Sequence, residues 1–168
     1  RDDVESRGLG DVYKRQIYWR NADRVGIICP QTTPQWAEVE VSVSGATESE
    51  ADLSNTGMQW GSSPSYDFYA FYPADAVQTN SGSIVVTGIP AVQTYHNGEC
   101  NMQYAYMAAC TQGVERGAEV PFRFRPLMTT VTIQVGFSEA AEVQKLVLSS
   151  ENGPIAGGFT FDIETNQC

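Results

Sequence analysis

Basic residues, and lysine above all, are scarce in this sequence. It contains 10 Lys and Arg residues against 20 Asp and Glu residues, which gives a formal net charge of −10 at pH 7. This balance argues against a nucleic-acid partner, because binding to phosphates requires a basic surface. The simplest interpretation of the acidic charge is a well-solvated protein surface.

Long hydrophobic runs are also absent. No stretch of about 18 apolar residues occurs, so the sequence predicts no transmembrane helix. No signal peptide is visible, and residues 1–16 are polar, lack strand or helix periodicity and resemble a translated sequencing adapter. We therefore expect residues 1–16 to be a non-native, adapter-derived segment and residues 17–168 to be a single domain that is truncated at both ends.

Histidine and paired cysteines are too sparse for a zinc site. The four cysteines include no C-x-x-C pair, and His96 is the only histidine. His96 adjoins Asn97-Gly98, a turn sequence that is typical of a solvent-exposed loop. Two interpretations remain open for Cys100 and Cys110: a disulfide between neighbouring strands in an oxidising compartment, or two small buried residues.

What the sequence does contain is a series of short β-strand patterns. Val39, Val41 and Val43 alternate with polar residues, as in a half-buried strand. Phenylalanine and arginine alternate in residues 121–126, and residues 128–137 form the most regular pattern, with Phe137 facing inward. Further strands are expected at 25–29, 84–86, 102–109, 143–148 and 159–163. Turn sequences separate them, residues 47–55 read as an exposed loop, and the whole pattern predicts an all-β sandwich.

The most distinctive segment is the aromatic run of residues 66–72. Aromatic side chains suit a pleated surface, so the run predicts a buried strand. Proline cannot donate a ladder hydrogen bond, so the strand should end before Pro73. Alternate side chains are expected on opposite faces: Phe68, Ala70 and Tyr72 on one, Tyr69 and Phe71 on the other.

No arrangement of side chains predicts catalysis. There is no G-x-S-x-G elbow, and the carboxylate pairs Glu48/Glu50 and Asp162/Glu164 are typical of surface charge rather than of a glycosidase. We therefore offer no catalytic residue, no cofactor and no metal site. Two interpretations remain for the three tryptophans, a sugar-stacking platform or core packing; they are Trp19, Trp36 and Trp60.

Several segments resemble, in chain order, the signatures of the fimbrillin family, whose members are subunits of surface fimbriae in Bacteroidales-type bacteria. Residues 19–27 resemble W-x-x-x-D-x-[IV]-G-[IV], and residues 58–60 and 66–73 resemble I-x-W followed by D-F-Y-A-Y-Y-P. Residues 103–105, 122–131 and 156–162 resemble three later strands, although Arg125 or Pro126 stands where the family has histidine. The signature residues, which the resemblance implies to be packing residues, are Trp19, Asp23, Gly26, Trp60, Phe68, Tyr69, Tyr72 and Pro73.

The resemblance implies a transthyretin-like β-sandwich of about seven or more mostly antiparallel strands, equivalent to the family's N-terminal domain. It implies a structural subunit or adhesin component of fimbriae and not an enzyme. The implied partners are other fimbrial subunits, joined by donor-strand exchange into a groove that proteolysis opens, and host or bacterial surface ligands. The implied location is the cell surface and outer membrane, with membrane attachment only through a lipid anchor that this fragment lacks.

The alternative function is a non-catalytic glycan-binding β-sandwich module of a surface lipoprotein, and a hydrolase is a distant third. Tryptophan exposure separates the first two hypotheses. Buried tryptophans remove the sugar platform, whereas an uncovered sheet edge beside an apolar groove favours strand exchange.

Overall fold

The computed structural model describes residues 18–45, 48–53, 56–80, 83–93, 102–129, 136–139 and 142–162. These residues form eleven β-strands: β1 (Arg24–Ile28), β2 (Thr32–Thr33), β3 (Trp36–Ser42), β4 (Asp52–Leu53), β5 (Gln59–Trp60), β6 (Tyr66–Tyr72), β7 (Val77–Asn80), β8 (Ser83–Ile89), β9 (Met107–Val114), β10 (Arg125–Pro126) and β11 (Gly157–Asp162). Two 3₁₀ turns, Ala74–Ala76 and Met102–Tyr104, are the only helical pieces in this part of the chain. None of the helical pieces described has the length and apolar character needed to cross a membrane.

The strands form three sheets, and every strand pair is antiparallel. The largest sheet has the order β10-β9-β6-β1-β3-β4, a second has the order β11-β8-β7, and β2 pairs with β5. The predicted all-β sandwich is confirmed. We call the two sides of the six-stranded sheet its front face, which carries Val25 and Ile27, and its back face, which carries Tyr69 and Phe71.

Loops and short strands cover the front face of the six-stranded sheet. The face contains the larger core cluster, including Phe68, Ala70 and Tyr72 of β6, all of them buried. The side chains that pack on this cluster from irregular segments or short strands include Trp19, Met58, Trp60, Val120, Phe122 and Phe124. Because separate segments cover the front face, the layer is incomplete and leaves a groove.

The three-stranded sheet covers the back face. Phe161 lies 6.3 Å from Phe71, and Phe159 packs edge-on against Tyr106 at 5.7 Å, both measured between ring centroids. The Tyr106 hydroxyl donates a 2.9 Å hydrogen bond to the carbonyl of Gly88 in β8. This bond satisfies a buried polar group and fixes the second sheet relative to the first.

The central strand β6 is buried on both faces, as its aromatic sequence predicts. Six of its seven residues are buried, and its side chains alternate between the front and back clusters as expected. The strand ends at Tyr72, directly before Pro73. Burying a large aromatic or aliphatic side chain contributes about 1.5–3 kcal/mol, so β6 is the energetic centre of the fold.

Strand β3 has one buried and one exposed side. Val39 and Val41 are buried, whereas Glu38 and Glu40 are exposed, which confirms the predicted alternation. Arg24 in β1 reaches both carboxylates, at 2.8 Å and 3.4 Å. Such exposed ion pairs contribute about 1 kcal/mol or less, so the pattern of burial, not charge, sets the register.

Several predicted strands differ from the observed ones. The strand expected at 102–109 is displaced to Met107–Val114, because a 3₁₀ turn occupies Met102–Tyr104. In residues 121–126 the phenylalanines do pack on the core and Arg123 is exposed, but only Arg125–Pro126 is a strand. The polar segment 47–55 contains the short strand β4, where a loop was expected.

The strand predicted at 143–148 is not formed in the structure. Residues 142–150 have no regular secondary structure, and Leu146 and Val147 are 57% and 71% exposed. Phe137, expected to face inward, is 54% exposed. No described strand lies beside these residues to bury them, so their apolar pattern is left uncovered.

Other predictions lie outside the described residues. They concern the adapter-like segment 1–16, the strand pattern at 130–135, and the positions of His96 and Cys100.

Candidate functional site

The front face carries an apolar groove with a volume of about 230 Å³. Seven of its nine lining residues are apolar, and the other two are Thr32 and Thr56. Ile27 and Phe68 form the floor on strands β1 and β6, and Val120 and Phe122 of the irregular segment before β10 form one wall. The groove therefore exists because irregular segments and short strands, not one continuous second sheet, cover this face.

Aromatic packing and two hydrogen bonds hold the walls of the groove. Trp60 of β5 packs edge-on against Tyr66 and Phe68, with ring centroids 4.6 Å and 5.6 Å apart. The Tyr66 hydroxyl donates a 2.7 Å hydrogen bond to the carbonyl of Gly61, which follows β5. The Thr111 hydroxyl donates to the carbonyl of Pro121, beside the opposite wall.

An open sheet edge lies beside this groove. Strand β4 pairs with Val41 and Ser42 only, so residues 36–40 of β3 have β1 as their only neighbour among the described strands. Leu53 of β4 lines the groove and also pairs with Val41, so the groove and the edge meet at this residue.

The backbone of β3 presents hydrogen-bonding groups along that edge. The amide of Val41 donates to the carbonyl of Asp23 at 2.8 Å, so Val41 faces the β1 side. Backbone groups alternate in direction along an antiparallel strand. The amides and carbonyls of Trp36, Glu38 and Glu40 therefore point outward, where a further strand would pair.

Three of the signature residues come together at the start of β1. Asp23 accepts a 2.8 Å hydrogen bond from the amide of Arg20 and a 3.1 Å bond from the hydroxyl of Tyr72. Burial, reinforced by the Asp23 carboxylate, raises the pKa of the Tyr72 hydroxyl far above its usual value, so this group stays a donor. Trp19 packs edge-on against Tyr72 and Phe124, at 5.4 Å and 5.1 Å.

The remaining signature residues are spread over the fold. Trp60 and Phe68 meet in the groove, whereas Tyr69 lies on the back face and accepts a 3.3 Å hydrogen bond from the Gln112 side chain. Pro73 follows β6 and is half-buried. Gly26 lies on the back face of β1, where a Cβ atom would collide with the ring of Trp36.

The three tryptophans do not form one platform. Trp19 and Trp60 are half-buried, and each uses its ring in edge-on contacts with two other aromatic rings. Trp36 lies over Gly26 on the opposite side of the sheet. This arrangement removes the feature that favoured stacking of a sugar on all three.

Comparison with known proteins decides the family. A family model described as fimbrillin-like matches residues 12–168. This chain belongs to the fimbrillin-like family. No curated protein and no solved structure gives a match. The resemblance inferred from the sequence motifs is thereby confirmed.

The fimbrillin-like family is a family of structural proteins, and membership gives this chain a general structural role. It implies a structural subunit that assembles with other fimbrial subunits at the cell surface. Among the described residues, no three His, Cys, Asp or Glu side chains lie close enough together to hold a metal ion.

Sequence reasoning missed two parts of this fimbrillin-like site. Leu53 stands alone in a polar segment, and an isolated apolar residue there was the only signal for a groove-lining position. Val120 precedes the Phe/Arg alternation and carried no signal of its own. Both residues acquire their role from chain segments distant in sequence that meet at the groove.

The structure describes two of the four cysteines of the fimbrillin-like chain, Cys29 and Cys110. Cys110 of β9 is disulfide-bonded, whereas the predicted pairing of Cys110 with Cys100 concerns a residue outside the described ones and stays a prediction. Cys29 is a free, buried thiol 3.2 Å from the side-chain oxygen of Gln31.

Proposed function

We propose that this chain joins its neighbours in a fimbria by β-strand addition at the outer edge of β3, beside the front-face groove. The observation that carries the proposal is the outer side of residues 36–40, which has no described strand beside it and lies next to an apolar cavity. A donor strand supplies hydrogen-bond partners to the backbone groups of the edge and side chains to the apolar cavity, so it satisfies both.

The dimensions of the groove suit side chains better than a free small molecule. Its volume of about 230 Å³ lies below the range of roughly 300–1,000 Å³ that is usual for small-ligand pockets. Alternate side chains on one face of a strand are about 7 Å apart. A donor strand on β3 directs every second side chain toward the front face, where Leu53 and Ile27 line the groove.

Charge protects the edge before assembly. Glu38 and Glu40 are exposed on β3, and charged side chains on edge strands oppose accidental pairing between copies. The net charge of −10 adds general repulsion between identical subunits. The proposal therefore expects a donor segment with apolar residues toward the groove and neutral or basic residues toward Glu38 and Glu40.

The disulfide of Cys110 supports export, which the proposal includes together with display at the outer membrane. Disulfides form and persist in oxidising compartments such as the periplasm and the cell surface. The working groups in this proposal are backbone amides, backbone carbonyls and apolar side chains, so it assigns no catalytic residue. The packing of Trp19 and Trp60 gives no support to the glycan-binding alternative.

Glu38→Pro tests the proposal, with Glu38→Ala as the matched control. The amide of residue 38 points away from β1, so proline removes an outward donor and spares the pairing with β1. Both variants lose the contact with Arg24, but only the proline variant lacks the amide that a donor strand needs.

The measurement is fimbrial polymer formation by cells displaying each variant, followed by denaturing gels and electron microscopy. We expect the alanine variant to assemble and the proline variant to remain folded and monomeric. Equal assembly of the two variants, with the proline variant folded as judged by circular dichroism, would show that the β3 edge takes no part.

A further inference from the structure

The three-stranded sheet ends in a strand with an open side. In the described part of the chain β11 (Gly157–Asp162) pairs with β8 alone, and the sheet order is β11-β8-β7. Phe159 and Phe161 of β11 pack on the back face of the six-stranded sheet. An edge strand of six residues with apolar side chains is a template for pairing with another strand.

A patch of exposed apolar side chains lies shortly before β11 in the sequence. Four of the eight large apolar side chains that are exposed in the described residues fall within six consecutive positions. They are Val143, Leu146, Val147 and Leu148, with exposed fractions of 50%, 57%, 71% and 55%. Exposed apolar side chains grouped in this way are typical of a surface that another element covers.

We propose that residues 145–150 are a strap that docks antiparallel on the open side of β11 and closes that edge of the sheet. Six residues, Glu151 to Ala156, connect the two segments, and they include the turn sequence Asn152-Gly153-Pro154. A connection of that length is ordinary for an antiparallel pair.

In one register the apolar side chains of the strap lie opposite those of β11. When Ser150 lies opposite Gly157, Leu148 lies opposite Phe159 and Leu146 opposite Phe161. Cross-strand neighbours share a face of the sheet, so both leucines then point to the side on which the two phenylalanines are packed.

The same register brings opposite charges together on the outer side. Lys145, one of the two lysines in the sequence, lies opposite Asp162. Opposite charges on directly facing residues favour pairing, and like charges oppose it. Val147 faces outward beside Thr160, so it is the apolar residue of the strap that docking leaves exposed.

Docking of the strap extends the back-face cluster and removes an aggregation-prone edge. Leu127 and Met128 are partly buried against that cluster, which also contains Phe159 and Phe161. With this edge closed, strand addition is directed to other edges of the molecule. The strap is a property of the single chain and does not depend on the assembly proposal.

A cross-link tests the register directly in the full 168-residue chain. Val147→Cys with Thr160→Cys places two thiols opposite each other, within the range of about 4.4–6.8 Å between Cα atoms that a disulfide requires. Val143→Cys with Thr160→Cys is the matched control, because in this register those residues are about 13 Å apart.

Mass spectrometry of non-reduced peptides reads the result. We expect an intrachain link in the first variant at least 10-fold more abundant than in the control. Equal linkage in both variants, no linkage in either, or a link found only between two chains overturns the strap, the last because a second copy then occupies the edge.

A pair of stability measurements keeps the proposal testable if the cysteine variants fold poorly. Leu146→Asp and Val147→Asp place the same charge one residue apart. The strap predicts that Leu146→Asp lowers the thermal midpoint by about 5 °C or more while Val147→Asp changes it by about 1 °C. Equal effects, or a larger effect at Val147, contradict the strap, because in the open arrangement both side chains are exposed.

Discussion

Gly26 lies in the middle of β1 on the back face, directly under the six-membered ring of Trp36. The two residues are on neighbouring strands, because Trp36 pairs with Ile28, two positions along β1. Only a residue without a side chain leaves room for the indole there. Close packing thus explains the glycine of the family signature. The surface that Gly26 leaves uncovered explains why the Trp36 ring lies there.

Gly26→Ala should destabilise the fold by about 1–3 kcal/mol, because the added methyl group forces the Trp36 ring to move. Chemical denaturation measures this change. In a Trp36→Ala background the same substitution should cost little or stabilise, because alanine loses less chain entropy than glycine. An equal cost in both backgrounds would show that the indole is not the obstacle.

Tyr72, one of the signature residues, makes the stability of the fold depend on pH. Its hydroxyl donates to Asp23, and burial with that carboxylate holds its pKa above the usual value near 10. The unfolded chain therefore loses this proton first as the pH rises. The contribution of this hydroxyl to the free energy of unfolding is fully present below pH 10. Above pH 10 it decreases, with a slope of up to about 1.4 kcal/mol per pH unit.

Tyr72→Phe should accordingly lose less stability than the parent chain when the pH rises above 10. Urea denaturation from pH 8 to 11 measures the difference. Tyr18→Phe, which alters an exposed tyrosine, is the control and should follow the parent curve. Parallel curves for the Tyr72 variant and the parent would mean that the buried hydroxyl does not govern the alkaline response.

Elements with strict alternation were the ones that the sequence predicted well. β3 and β6 follow from period-two patterns, because each buried face repeats every second residue. Elements defined by contact between distant segments were missed. β4 is a two-residue strand in a polar stretch, and the start of β9 is displaced by a 3₁₀ turn. The candidate site belongs to this second group, because strands and loops that are distant in sequence form the groove only in the folded chain.

The β8–β11 pair depends on a close approach of two backbones. Gly88 has a φ of +99°, and a Cβ atom there would collide with the carbonyl of Gly157 in β11. The register of the pair shifts between Gly157 and Phe159, next to this contact. The Gly88 carbonyl also accepts the hydrogen bond from the Tyr106 hydroxyl.

Gly88→Ala should therefore loosen β11 and cost about 2 kcal/mol or more in unfolding free energy, through the φ strain and the collision. Hydrogen exchange of the β11 amides, with denaturation, measures both effects. Gly158→Ala is the control, because its Cβ meets nothing within 4 Å. Equal exchange rates in the two variants would contradict the proposed role of this contact.

At the scale of the molecule, the described residues combine a well-buried centre with an incomplete periphery. β6 and its neighbours are covered on both faces, whereas the front face retains a groove and part of the β3 edge has no described strand beside it. That distribution suits a subunit of a polymer, because a partner strand supplies what the isolated sheet lacks. The family assignment gives the structural role, and the edge and groove give the proposed point of attachment.

Amide hydrogen exchange of β3 before and after fimbrial assembly tests that attachment most directly. The amides of Glu38 and Glu40 point outward, whereas those of Val39 and Val41 face β1 and serve as internal controls. Strand addition predicts that exchange at Glu38 and Glu40 slows on the order of 100-fold in the polymer, with little change at Val39 and Val41. Unchanged exchange at Glu38 and Glu40 in assembled fimbriae would contradict the account.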